Sequence, residues 1–249
     1  MKQALNPFDP INLASSISNT VCKDSLMKYK EFYRSGPHGG VSTGYVSGCC
    51  LRCIFCWVDD SRDEPEKFGT LYSPEEAFKE LIRNANIKGV KRLRLSGGEP
   101  TVCRSHIFSL LELIQDEDCI LILETNGILF GNDEGYVEKL TKYKQFHVRV
   151  SLKAGTPEEF QRITGAKADF YKLPFNAIEH LIKYKISFHV AAMTDPKIIS
   201  ADERSAVLNT LKKIGYDNFL EEETCSPYPH TVRRLKEAGL PIYTEGLID

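Results

Sequence analysis

Two rhythms alternate along this chain. Short runs that are apolar throughout, or apolar at every second position, read as strands at 42–47, 92–95, 119–124, 146–152, 186–192 and 217–221. Runs with apolar residues three and four apart read as helices at 74–85, 105–115, 135–143, 157–163, 171–184, 201–214 and 230–238. The helix at 74 has a well-marked start: Ser73 suits its cap, Pro74 its first turn, and Glu75 and Glu76 the positive end of its dipole. Residues 1–40 follow neither rhythm clearly. One helix is expected near 25–34, closed by the breaker Gly36-Pro37-His38-Gly39-Gly40.

Strand followed by helix, six times over, predicts a parallel sheet with right-handed crossovers. Six units fall short of the eight of a closed barrel. The expected fold is therefore α/β, an open partial (β/α)6 barrel with an N-terminal helical extension. A flat doubly wound sheet is the alternative. The expected organisation is an extension over 1–40, a core over 41–225, and a C-terminal helix and tail over 226–249. In either architecture the site belongs at the carboxyl ends of the strands.

Composition narrows the function. The 249 residues carry 32 Lys and Arg against 34 Asp and Glu, a formal net charge of −2. Such a balance gives no signal for nucleic acid or an anionic membrane. No run of about 18 apolar residues marks a transmembrane helix, and the N-terminus lacks the apolar core of a signal peptide. A cytoplasmic location is expected. There the eight cysteines should mostly be thiols, and a tight group of them reads as a metal site.

That group follows the first predicted strand: Gly48-Cys49-Cys50-Leu51-Arg52-Cys53-Ile54-Phe55-Cys56-Trp57. The close spacing lets one loop wrap one metal centre. Three thiolates, Cys49, Cys53 and Cys56, leave one iron of a cubane without a protein ligand. Structural zinc is the alternative; it asks for a fourth ligand, such as Cys50 or a distant Cys or His. Cys22, Cys103, Cys119 and Cys225 are scattered and read as core thiols or helix residues.

The Cys-x3-Cys-x2-Cys spacing, with Phe55 before the last cysteine, resembles the signature of the radical SAM superfamily. The resemblance implies a [4Fe–4S] cluster on Cys49, Cys53 and Cys56. It also implies S-adenosylmethionine (SAM) chelating the open iron, and its reductive cleavage to a 5′-deoxyadenosyl radical. Ser96-Gly97-Gly98-Glu99-Pro100 after the second strand resembles the superfamily's GGEP motif. By that resemblance Gly97, Gly98 and Glu99, with Thr101 beside them, hold the SAM amino group; an ordinary turn is the alternative. Glu124-Thr125-Asn126-Gly127 after the third strand resembles the E/D-T-N-G element of activating enzymes and the deazaguanine-forming branch, which places Glu124 and Asn126 near SAM or substrate.

After the fourth strand, alternation puts Arg149, Ser151 and Lys153 on one face. A polar face is unexpected in a covered parallel strand and makes sense in a polar barrel interior. It resembles the D-x-K stretch of glycyl-radical activating enzymes, with Ser151 in place of the acid, and implies that Ser151 and Lys153 contact SAM. His189, Ala191 and Met193 share a face of the fifth strand. His189 reads either as a SAM or substrate contact or as a core histidine. The run Glu221-Glu222-Glu223 reads as solvated, with one of them, at the strand end, as a substrate contact the alternative.

The series of motifs is similar to small archaeal-type radical SAM proteins related to activating enzymes. It implies hydrogen abstraction from an organic substrate, either a protein, as for an activase, or a small molecule, as for 7-carboxy-7-deazaguanine synthase. The open barrel and short tail 240–249 lean slightly to the protein. A ferredoxin- or flavodoxin-type electron donor is implied. The rival from another class is an iron–sulfur electron carrier without SAM chemistry, which would not need Gly97–Glu99.

Overall fold

A computed structural model describes residues 6–36, 40–87 and 89–240. The expected breaker at 37–39 and the tail beyond 240 lie outside the described residues. The chain opens with helix α1 (Pro10–Val21), capped by the Asp9 carboxylate, which accepts from the Ile11 and Asn12 amides. Strands β1 (Cys22–Lys23) and β2 (Leu26–Ser35) follow, then β3 (Val41–Val46), the cysteine loop and β4 (Thr70–Tyr72). From there strand and helix alternate. The order is α2 (Pro74–Asn86), β5 (Arg92–Gly97), α3 (Arg104–Ile114), β6 (Ile120–Thr125), α4 (Ile128–Asn132), α5 (Glu134–Leu140) and β7 (Phe146–Leu152). Then come α6 (Pro157–Thr164), α7 (Leu173–Lys183), β8 (Phe188–Met193), α8 (Ala201–Lys213), β9 (Leu220–Glu223) and α9 (Pro229–Glu237).

Among the described residues the strands form one sheet in the order β1-β2-β3-β5-β6-β7-β8-β9, with β4 also paired to β2. Six strands, β3 and β5–β9, run parallel. The order ends at β1 and β9, so the sheet does not close, as the count of six units foretold. The parallel strands β3 and β5–β8 are largely buried on both faces, whereas β9 at the edge is not. Leu93, Leu95, Leu121, Leu123, Val148, Val150 and Val190 are fully buried in the core. Their alternates Arg94, Ser96, Glu124, Arg149, Ser151 and His189 give the other face a polar lining.

Three expectations are corrected. The stretch 25–34 is not a helix but strand β2. Its buried Met27 and Tyr29 alternate with Lys28 and Lys30, whose ammonium groups reach the Pro65 carbonyl and Asp59. Antiparallel pairing with β3 overrides local helix propensity, and a register shift lies between Tyr29 and Glu31. The extension is therefore part helix, α1, and part antiparallel sheet. The helix expected at 135–143 is α5, but a further short helix not expected from the sequence, α4, precedes it, and Asp133 ends that one and caps α5. Lastly, Cys22 and Cys103 are not core thiols but a disulfide, their Cα atoms 5.7 Å apart across 81 residues of sequence. Cys119 and Cys225 are free thiols, as expected.

Candidate active site

At the carboxyl ends of the parallel strands lies a cavity of about 640 Å³. Its cysteine loop leaves β3 through Gly48, at φ +81°, and is pinned on every side. Arg52 and Ile54 amides donate to the Thr164 and Ile163 carbonyls, at 2.9 and 3.0 Å. The loop's own carbonyls accept from cations: Cys49 from Arg52 at 2.6 Å, Cys53 from Arg62 at 2.7 Å and Cys56 from Arg234 at 3.0 Å. All three arginines converge on Asp63. Burial alone would raise that carboxyl; Arg62, Arg52 and Arg234 hold it below the usual range.

The glycine motif meets this loop directly. Gly98 donates to the Val46 carbonyl at 2.8 Å and Glu99 to the Gly48 carbonyl at 2.7 Å. A Cβ on Gly98 would fall 2.0 Å from the Gly48 oxygen, so only glycine lets the two backbones approach this closely. The Glu99 carboxylate is buried. It accepts from the Thr101 amide at 3.2 Å, Thr101 Oγ1 at 2.6 Å, Thr125 Oγ1 at 2.7 Å and the Asn126 amide at 2.8 Å. Burial pushes its pKa up, and those donors oppose the rise.

The structure brings together on this cavity Cys49, Cys53, Cys56, Gly97, Gly98, Glu99, Glu124, Asn126, Ser151 and Lys153. Glu124 accepts from Ser96 Oγ and faces Arg94 at 3.4 Å. Asn126 caps the turn into α4 through its Oδ1 and donates to the Cys50 sulfur at 3.3 Å. Lys153 donates to Ser151 at 2.6 Å, and Ser151 to Glu223 at 3.2 Å. His189 is not brought to this cavity. It lines a second, smaller one with His147.

Sequence reasoning missed several lining residues. Arg94 is buried among Thr43, Ser35 and Glu124. Arg149 donates to Glu221 at 2.8 Å and Glu223 at 2.7 Å, so that part of the acidic run read as solvated faces the cavity. Alternation had already placed Arg149 on the inward polar face and could have flagged Arg94 in the same way; their carboxylate partners come from other strands. Tyr33, Cys225 and Tyr228 also line it, with no local cue. Trp57 packs edge-on against Tyr45 at the rim, ring centres 5.4 Å apart.

Could the three cysteines hold a cubane? All three line the one cavity, whereas Cys50 is fully buried behind them. Among the described residues no three Cys, His, Asp or Glu side chains stand close enough for one metal ion. A tetrahedral zinc, with bonds of about 2.3 Å to sulfur, draws its thiolates tightly together. A cubane, whose ligated irons sit at separate corners, does not ask three thiolates to meet at a single ion. Burial pushes the Cys53 thiol up to about 12, so its thiolate needs an adjacent positive charge. The Cys50 thiol beside Cys49 donates to its sulfur and holds the Cys49 thiol below its ordinary range, which favours a thiolate there. The donor set fits an iron–sulfur cluster.

Comparison with known proteins decides the family. Residues 45–211 match the model described as "Radical SAM superfamily". The chain belongs to the radical SAM superfamily. Members of this superfamily use a [4Fe–4S] cluster and SAM. In sequence, the chain is 32% identical over 171 residues to "Probable GTP 3',8-cyclase" of Methanococcus maripaludis, covering 67% of this chain and 53% of that protein. The chain thus spans about half the length of the first curated relatives it matches. Two solved radical SAM structures share the fold. One is anSMEcpe with bound AdoMet and a Cp18Cys peptide, with TM-score 0.55, 23% identity, and 73% of this chain and 49% of that one covered. The other is Streptococcus suis SuiB bound to precursor peptide SuiA, with TM-score 0.59, 19% identity, and 75% and 39% covered.

Proposed function

We propose that this radical SAM chain cleaves SAM reductively and uses the radical to take hydrogen from an organic substrate bound in the same cavity. One observation carries the reading. The three cysteines, Gly97–Glu99, Glu124, Asn126 and Ser151–Lys153 come from four separate strand ends and line one cavity. Cys49, Cys53 and Cys56 would hold the cluster, which would supply the electron for reductive cleavage of SAM. The chain's own groups do the rest. Glu99, held by its four donors, offers a carboxylate to the SAM ammonium. Lys153, which has no ion pair among the described contacts, offers its ammonium to the SAM carboxylate. The backbone of Gly97 and Gly98, free of side chains, allows SAM to lie close.

The cavity volume lies within the roughly 300–1,000 Å³ of small-molecule sites, and the named relatives carry a small-molecule substrate in their names. Both favour a small organic substrate over a protein-borne one. GTP itself is not proposed. A triphosphate needs uncompensated cations, and Arg62, Arg94 and Arg149 are each already paired with carboxylates. A low-potential electron donor of ferredoxin or flavodoxin type suits the cluster. A cytoplasmic location suits that donor, and no described helix is long and apolar enough to cross a membrane.

The test is anaerobic reconstitution with iron, sulfide, dithionite and SAM. 5′-Deoxyadenosine should form with the wild type and not with Cys53→Ala. An intact, reducible cluster that releases none would overturn the proposal.

A further inference from the structure

The polar face of the sheet runs deeper than the cluster cavity. Below it, a second cavity of about 380 Å³ is lined by Arg92, Ile120, Ile122, His147 and His189. Across the parallel ladder, Ile122 pairs with His147, while Glu124, Arg149 and His189 form the next polar row up. That row separates the two cavities, and a chain of hydrogen bonds crosses it. Ser187 Oγ lies 2.8 Å from His147 Nδ1, His147 Nε2 lies 2.7 Å from His189 Nδ1, and His189 Nε2 lies 3.1 Å from Glu221 Oε2. The rings are 20° from coplanar with centres 5.0 Å apart. With nitrogens 2.7 Å apart, that spacing sets them edge to edge, as an in-plane N–H···N bond requires. Glu221 lines the cluster cavity.

Only one hydrogen assignment satisfies all three contacts with neutral rings. The Glu221 carboxylate can only accept, so His189 Nε2 carries hydrogen. Its bare Nδ1 then accepts from His147 Nε2–H, and the bare His147 Nδ1 accepts from the Ser187 hydroxyl. Every bond points the same way, toward the cavity. Two histidines and a carboxylate also suggest a metal. However, both nitrogens of each ring are engaged, and no such group is close enough for one ion among the described residues.

We propose that His147, His189 and Glu221 form a proton relay between solvent at the amino-terminal face of the sheet and the cluster cavity. The proposal rests on the radical SAM reading for its purpose. SAM and substrate fill the upper mouth, and a substrate radical with a neighbouring hydroxyl, amine or carbonyl commonly loses or gains a proton as it rearranges. A second entrance lets that proton move while the upper one is filled. A proton reaching His147 Nδ1 releases the Nε2 proton to His189 Nδ1. His189 Nε2 then releases its proton to Glu221 Oε2. One proton crosses and no electron moves. The reverse sequence exports a proton and resets both rings. His147 and His189 act through Glu221 and are positioning residues. The charged groups around them are Arg92 on β5, Glu124 on β6, Arg149 on β7, and Glu221 and Glu223 on β9. Arg149 donates to the same Glu221 oxygen that meets His189, which returns Glu221 to the carboxylate once a proton has passed on.

The experiment is ¹⁵N-histidine NMR of the cluster-loaded, SAM-bound protein under anaerobic conditions. Both rings should be Nε2–H tautomers, and a coupling should cross the His147–His189 bond. His147→Gln keeps a donor to His189 Nδ1 but cannot pass a proton. It should retain cluster absorbance and SAM binding yet slow exchange of the His189 Nε2 proton with solvent roughly 10-fold or more. His147→Phe should do the same and lose the coupling partner. Wild-type exchange rates in the Gln variant, or an Nδ1–H tautomer at His147, would overturn the relay. A wild type that makes no 5′-deoxyadenosine speaks against the radical SAM reading and leaves the exchange result standing on its own.

Discussion

Two buried groups show what single residues contribute. Glu99 takes four hydrogen bonds with no cation beside it among the described ion pairs, an arrangement ready for an incoming ammonium. In Glu99→Gln an amide –NH2 would face the Thr101, Thr125 and Asn126 donors, and the negative charge would be lost. A hydrogen bond to a charged group is worth about 1.5–3 kcal/mol, so SAM should bind roughly 10- to 100-fold more weakly, as measured by equilibrium dialysis on cluster-loaded protein. His106 is fully buried against Tyr29 and the Ser25 carbonyl, and burial holds its pKa down at about 4 against an ordinary 6.5. The unfolded chain therefore takes up this proton first as pH falls below 6.5. Stability from His106 is whole above that pH and should fall by about 2 kcal/mol by about pH 5. Urea midpoints at the two ends of this window should show that slope, and His106→Gln should flatten it. The strand-end motifs were legible because a local pattern states both their chemistry and their place. Depth was not. His189 shares its face with Met193 but lies four residues lower, about 13 Å at 3.3 Å per residue, and so meets His147 instead of the cluster.

Among elements, helices with strong caps and the buried parallel strands could be read from the sequence, since each carries its reason locally. Strand β2 could not, because its conformation comes from pairing with β3 and β4 across the chain. Helix α1 had signals that go unread in a pattern search: Asp9 at its cap, Pro10 behind it, and Ala14, Ile17 and Val21 on one face. Helix α9 shows an element acting on the site from a distance. Its Thr231 and Arg234 hold the Cys56 carbonyl, and Arg234 joins Arg52 and Arg62 on Asp63. Asp63→Asn would leave three partly buried guanidinium groups sharing a neutral amide. Breaking a buried ionic network costs about 3–5 kcal/mol, and partial exposure of Asp63 brings that down to about 2 kcal/mol. The expected outcome is a lower unfolding midpoint and faster loss of cluster absorbance under a chelator. Equal rates in the variant and wild type would show that the Asp63 network does not secure the loop.

At the scale of the whole molecule, the disulfide joins parts that the sequence keeps far apart. Cys22 follows α1, and Cys103 lies two residues beyond Thr101, so the bond ties the extension to the glycine motif. The same seam is closed by Ser18 donating to the Val102 carbonyl at 3.3 Å, and by Ile17 and Val21 packing over Gly48. Closing a loop of 81 residues removes unfolded-state entropy worth about 4–5 kcal/mol in the chain-entropy model. For a domain of this size each kcal/mol moves Tm by about 2–4 °C. A Cys22→Ser, Cys103→Ser double variant should therefore melt on the order of 10 °C below wild type under non-reducing conditions. Reductant should bring the wild type down to the variant and leave the variant unmoved. Because Ser18, Ile17 and Val21 hold the seam without the bond, cluster loading at low temperature should survive in the variant. If the wild type melts at one temperature with and without reductant while thiol labelling shows the bond opening, the seam is held by packing alone.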